Sequence, residues 1–184
     1  NLLEKSGVDR VLAMDLHSAQ IQGYFDIPCD HIYGSPVLID YLESLNLEEI
    51  VVVSPDVGGV ARARAFAKLM KDAPLAIIDK RRAAHNIAES LTVIGEVKGK
   101  TAILIDDMID TGGTICSGAH LLKKEGANRI FACASHAVFS PPSYERLSSK
   151  NLFEQVIVTN SIPVIHKNNF PQLKVLSVAN MLGE

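Results

Sequence analysis

The chain has 184 residues, 47% of them hydrophobic and 21% charged, which is enough for one compact domain with a buried core, or for one domain plus a piece of a second. A formal net charge of −3 leaves no basic footprint for nucleic acid, and the basic residues gather instead at Lys80-Arg81-Arg82, a cluster on the scale of a small anion. No apolar run approaches the roughly 18 residues of a membrane span and there is no signal-peptide pattern, so a cytoplasmic protein without a membrane partner is expected. Cys29, Cys116 and Cys133 are odd in number and lack metal-ligand spacing, and are read as reduced thiols.

In chain order, Asn1 to Ser6 reads as the end of a helix with Gly7 as its C-cap, and Val8 to Leu16 as a strand running into Asp15-Leu16-His17. Ser35 and Pro36 suit the N-cap and first position of a helix whose apolar stripe is Val37, Leu38, Tyr41, Leu42 and Leu45, so a domain is expected to start near Gly34. Ile50 to Val53 is a buried strand, and Pro55-Asp-Val-Gly-Gly59 follows at its carboxyl end before a helix from Val60 to Lys71. The two glycines make either a tight turn or a place where backbone comes close to a ligand. Arg62 and Arg64, on that helix, read as solvated charges.

Leu75 to Ile78 is the next strand, followed by Asp79-Lys80-Arg81-Arg82 and a stretch to Ser90 without a clean period. By charge alone this is a surface cluster; by its place at a strand end it is a mobile loop able to close over phosphates. Leu91 to Lys100 looks like a short hairpin arm. Ile130 to Ser135 and Gln155 to Thr159 are further strands, separated by Ser140-Pro141-Pro142 and a helix from Ser143 to Ser149, and Lys174 to Val178 is the last strand. His136 ends a strand on the rim, in a structural role or a functional one; His31, His85, His120 and His166 lack ligand spacing. No repeat at solenoid spacing is visible.

The most informative stretch is Thr101 to Ile115, TAILIDDMIDTGGTI. Thr101 to Ile105 is an apolar, mostly β-branched run, as in a strand buried on both faces of a parallel sheet. Helical spacing begins after it, and between them Gly112 and Gly113 allow several N–H groups to turn toward one point at a helix start, an anion cradle. Asp106, Asp107 and Asp110 would repel a bare phosphate. A sugar phosphate resolves the conflict, because carboxylates accept hydrogen bonds from neighbouring ribose hydroxyls while the amides of Asp110 to Thr114 and the hydroxyls of Thr111 and Thr114 take the 5′-phosphate. The simpler alternative is a strand-to-helix turn with an acidic N-cap.

Strands alternating with helices imply an α/β fold with a parallel sheet and helices on both faces. With the Ile50 strand beside the Thr101 strand and the Leu75 strand outside it, the order is 2-1-3-4-5, and ligands are expected at the switch point between the first and third strands.

Several of these segments resemble one family. DDMIDTGGT looks like the ribose-5-phosphate loop shared by type I phosphoribosyltransferases and ribose-phosphate pyrophosphokinases (PRPP synthetases), and DLHSAQIQGYFDIP, PDVGG and DKRR resemble motifs of the second group. The resemblance spans essentially the whole chain. It implies transfer of the diphosphate of ATP to ribose 5-phosphate, with Mg²⁺ associated with His17 and Asp56, diphosphate contacts at Gly58 and Gly59, and Lys80 and Arg82 as catalytic cations. It further implies ribose 5-phosphate contacts at Asp106, Asp107, Asp110, Thr111, Gly112, Gly113 and Thr114. Val57 and Arg81 stand where the pattern varies. The corresponding division of the chain is the end of an N-terminal domain at 1–33, a phosphoribosyltransferase-like domain at 34–166, and a terminal segment, 167–184, returning to the N-terminal domain. Family members commonly form homo-oligomers, hexamers built from dimers. A phosphoribosyltransferase and an inert regulatory subunit of the synthetase are the alternatives; the first has no reason to carry DLHSAQIQG, and the second would not be expected to keep both Lys80 and Arg82.

Overall fold

A computed structural model of the protein describes residues 2–81, 90–149, 151–165 and 170–183. In chain order the elements are α1 (Leu2–Lys5), β1 (Val11–Met14), a 3-10 turn (Ala19–Tyr24), β2 (Cys29–Ile32), α2 (Ser35–Ser44), β3 (Ile50–Ser54), α3 (Val60–Leu69), β4 (Leu75–Arg81) and β5 (Ser90–Ile94). β6 (Thr101–Ile109), α4 (Gly113–Lys124), β7 (Arg129–Ala137), α5 (Ser143–Leu147), β8 (Gln155–Thr159), β9 (Leu173–Leu176) and α6 (Ala179–Gly183) complete it.

Seven strands form one sheet in the order β5-β4-β3-β6-β7-β8-β9, and β1 and β2 pair with each other in a small parallel sheet. Within the large sheet, β4-β3-β6-β7-β8 is the expected 2-1-3-4-5 arrangement, all parallel. Both faces are covered, as the unbroken apolar strands require. Val51, Val53, Ala102, Leu104, Ala132 and Ala134 face a layer that holds Ile115, Cys116, Ala119 and Leu122 of α4. Val52, Ile103, Ile105, Phe131 and Cys133 face α2 and α3 through Leu38, Leu42, Ala63 and Phe66. Gly118 is the small residue that lets α4 lie close, since a Cβ there would come within 2.7 Å of the Ile78 side chain.

The structure corrects several boundaries. Asp79, Lys80 and Arg81 do not open a loop; they close β4, which continues because β5 folds back on it antiparallel, with Lys80 opposite Leu91. The expected hairpin arm therefore pairs at Ser90–Ile94 and not along 91–100. Asp106 and Asp107 likewise belong to β6, which β7 accompanies as far as Ile109 opposite Ala137. Gly34, in a helical conformation, precedes α2 where a Ser35 cap was expected, and Ile39 joins Leu38 and Leu42 on the buried stripe. At the other end of the sheet, β9 pairs parallel with β8 and forms its edge. Among the described residues no helix is long and apolar enough to cross a membrane.

Candidate functional site

Because β3, β4, β6 and β7 run parallel to one another, their carboxyl ends lie on one rim, and the loops after β3 and β6 follow there. The loop after β6 is shaped by Gly112, whose φ of +73° is left-handed and whose missing Cβ would stand 3.3 Å from Leu147 of α5. As the cap of α4 it offers no side-chain oxygen to the first-turn amides, the state in which a helix start receives an anion from outside. Asp106 and the run from Met108 to Ile115 line a cavity of about 220 Å³ there. Arg146 of α5 donates through Nη1 to the Thr111 carbonyl at 3.1 Å and so braces the loop.

Behind the loop stand the two carboxylates. Asp107 is buried, its side chain 2% exposed, and Asp106 is 21% exposed. Arg62 of α3 reaches both, with Nη1 3.2 Å from Oδ1 of each. The other oxygen of Asp107 lies 2.9 Å from Nδ1 of His17. Burial, and then the hydrogen bond with Asp107, push the Asp106 carboxyl up to about 7. Burial would raise Asp107 as well, but its hydrogen bonds with Asp106 and His17 and the charge of Arg62 carry it below the ordinary carboxylate range. The pair thus divides into one carboxyl that holds its proton near neutrality and one firmly ionised.

The loop after β3 is folded around Asp56, whose Oδ1 accepts the Gly59 N–H at 2.7 Å while Ser54 Oγ donates to the Asp56 carbonyl at 2.6 Å. Gly59 has no room for a side chain, a Cβ falling 2.9 Å from Ser54 Oγ. Gly58 joins His17, Arg62, Asp106, Asp15 and Ser135 in the lining of a cleft of about 620 Å³ between the small sheet, α3 and the end of β6. Lys80 lies on the part of β4 that runs three residues past Ile77, the last to pair with β3, hence about 10 Å along the strand beyond that pairing and held there by β5. Arg82 lies outside the described residues, as do His85 and His166.

Among the described residues no group of three His, Cys, Asp or Glu side chains is arranged to hold a metal. Mg²⁺, however, commonly keeps its waters and takes one or two protein ligands plus substrate phosphates. The contact of His17 Nδ1 with an ionised carboxylate fixes the proton on that nitrogen and leaves Nε2 as the donor, the usual support of a metal-bound imidazole. Asp56 keeps its Oδ2 outside the Gly59 bond. These donors fit a phosphate-bound magnesium ion.

Two features of the site escaped the sequence reading. Arg62 is not a solvated charge; only the spacing of one helical turn from the Gly-Gly loop hinted otherwise. The second is a junction between the small sheet and the large one. Asp15, buried and at a φ of +40°, accepts the Gly34 N–H at 2.7 Å and the Ser135 hydroxyl through Oδ2. His136 Nε2 lies 3.0 Å from the Met14 carbonyl, and its Nδ1 2.9 Å from Ser161 Oγ. His136 therefore faces the rim as expected, in a bracing position. The thiols of Cys116 and Cys133 are raised by burial, to about 11 for Cys116, in keeping with unreactive core cysteines.

Residues 37–167 match the family model of the phosphoribosyl transferase domain. The chain belongs to the phosphoribosyl transferase domain family. Over all 184 residues it is 94% identical to a ribose-phosphate pyrophosphokinase of Prochlorococcus marinus subsp. pastoris, covering 56% of that protein. Over its whole length it is also 65% identical to ribose-phosphate pyrophosphokinase 1 of Spinacia oleracea, covering 55% of it. The chain thus spans a little over half the length of the curated relatives it matches. Among solved structures it superposes on phosphoribosylpyrophosphate synthetase from Mycobacterium smegmatis with a TM-score of 0.90 and 44% identity, over 98% of this chain and 58% of that one. Adenine phosphoribosyl transferase from Trypanosoma brucei, at 14% identity and a TM-score of 0.51, shares the fold. The match to the family model covers the large sheet from α2 to β8, and with it both Gly-Gly loops.

Proposed function

We propose that the full-length protein is a ribose-phosphate diphosphokinase, which transfers the β,γ-diphosphate of ATP to O1 of ribose 5-phosphate. The products are 5-phosphoribosyl 1-diphosphate and AMP. The observation that carries this reading is the placement of the two Gly-Gly loops, at the carboxyl ends of the adjacent parallel strands β3 and β6, in a chain whose close relatives bear that enzyme's name.

In this reading the 5′-phosphate lies on the amides of Asp110 to Thr114, and the Thr111 and Thr114 hydroxyls donate to it. The ribose hydroxyls donate to Asp106 and Asp107, which fixes the sugar ring and therefore O1. Gly58 and Gly59 let the backbone approach the diphosphate closely. Lys80, together with Arg82, offsets the charge that develops on the diphosphate as ribose O1 attacks the β-phosphorus in line; catalysis is positioning plus charge stabilisation, with no covalent intermediate on the protein. Held by Asp56 and His17, magnesium would neutralise phosphate charge. The partners in this reading are ATP, ribose 5-phosphate and other copies of the chain in a hexamer built from dimers, and the setting is the cytoplasm.

The test is an AMP-release assay on the full-length protein. AMP should appear only when ATP and ribose 5-phosphate are both present, in equal amount to a new diphosphorylated sugar. Release of ADP instead, or consumption of the diphosphorylated sugar with a base as in a phosphoribosyltransferase, would refute the assignment.

A further inference from the structure

We propose that Arg62 is a positioning residue that sets the two carboxylates of the ribose site. The inference deepens the reading above and rests on it. Asp106 and Asp107 are consecutive, largely buried acids at the end of one strand, and their side chains keep a fixed separation only if a common partner holds both. Arg62 Nη1 stands 3.2 Å from an oxygen of each, so one guanidinium fixes the spacing of both. The backbone N–H of Asp107 adds a 2.9 Å hydrogen bond to the same Asp106 oxygen. Asp106, which lines both the cleft and the loop cavity, keeps lone-pair capacity for a sugar hydroxyl, while Asp107, buried behind it, shares the clamp that fixes its orientation. The clamp is itself rigid: the Arg62 side chain is 27% exposed and projects from the first turn of α3, directly after the loop pinned by Asp56 to Gly59.

The geometry separates Arg62 from the anion cradle, whose lining runs from Met108 to Ile115 together with Asp106 and does not include it. Its loss should therefore damage recognition of the sugar and leave recognition of phosphate alone. A purely structural arginine would not divide its effects in that way.

The test uses calorimetric titration of the full-length protein and its Arg62→Gln and Arg62→Lys variants with ribose 5-phosphate, 2-deoxyribose 5-phosphate and inorganic phosphate. Arg62→Gln should weaken ribose 5-phosphate by about tenfold, roughly one charge-assisted contact, while 2-deoxyribose 5-phosphate and phosphate change by less than about twofold. Arg62→Lys should recover part of the preference for the ribose form, and it carries the test alone if the glutamine variant does not fold. A variant that folds and keeps the full preference, or one that loses both sugars equally, overturns the role of Arg62. Failure of the unsubstituted protein to bind ribose 5-phosphate refutes the reading of the site itself.

Discussion

Asp106 is a half-buried carboxyl whose ionisation its surroundings oppose. Its carboxyl is pushed up to about 7, first by burial, so the folded chain holds that proton more tightly than the unfolded one. The contribution is present in full at pH below the ordinary carboxylate range and is lost as the pH rises through about 7. Asp107, shifted downward, acts in a separate window, losing its contribution as the pH falls below the ordinary range. Asp106→Asn should therefore melt a few degrees above the unsubstituted protein at pH 8, with the advantage shrinking toward pH 5. Equal or lower melting at pH 8 would show that Arg62 needs that charge more than burial opposes it. Lys80 makes a contrasting case on its projecting strand end. Lys80→Ala should depress turnover by at least about a hundredfold with little change in ribose 5-phosphate affinity, because its charge is needed chiefly as the diphosphate transfers. Steady-state kinetics beside equilibrium binding measures both, and unchanged turnover removes Lys80 from the mechanism.

At the scale of elements, the phosphate loop is a property of three segments together. β6 delivers it, α4 supplies the amides, and α5 supports it from outside through Leu147 against Gly112 and Arg146 on the Thr111 carbonyl. Gly112→Ala meets two costs at once, a left-handed φ of +73° and a Leu147 carbon 3.3 Å from the new Cβ. It should lower stability by about 1–2 kcal/mol and weaken ribose 5-phosphate binding, read from denaturant melts and titration. A variant as stable as the original would mean that the loop conformation is not set by this glycine. The layer beneath is ordinary packing: Leu122 of α4 is fully buried, and Leu122→Ala should cost about 2–5 kcal/mol without altering the ligand preferences of any folded remainder.

For the molecule as a whole, the acid pair, the loop after β6 and Arg62 are contiguous in space, on the large sheet and its helices. Ribose 5-phosphate should therefore stabilise these 184 residues; at a hundred times its dissociation constant the gain is about 2.7 kcal/mol, roughly 5–10 °C in melting temperature. Absence of any shift in a thermal melt would count against the sugar-phosphate site. Among the described residues, the groups that attach the small sheet include Asp15 on Gly34 and Ser135, His136 on the Met14 carbonyl, and His17 on Asp107. The exposed Leu2, Leu3 and Leu12 on α1 and β1 leave it with little apolar burial of its own.

The features legible in the amino-acid sequence were those written in local chemistry. Runs such as Ile50–Val53 and Thr101–Ile105 are too apolar and β-branched for anything but strands covered on both faces, and Gly-Gly after each marks a turn into a helix. Alternation of strand and helix then determined the 2-1-3-4-5 order, because right-handed crossovers leave few other arrangements. What only the tertiary structure decided were pairings between distant residues, of which spacing carries no trace. β4 extends through Lys80 because β5 comes back beside it, and β6 extends through Asp106 and Asp107 because β7 runs alongside, with Met108 opposite His136. A strand ends where its partner ends. Arg62 looks like any surface arginine until α3 packs its first turn against the end of β6, 44 residues away along the chain, and His136 becomes a brace only when β1 ends beneath it. In each case the local sequence permitted several outcomes, and burial next to a particular neighbour selected one.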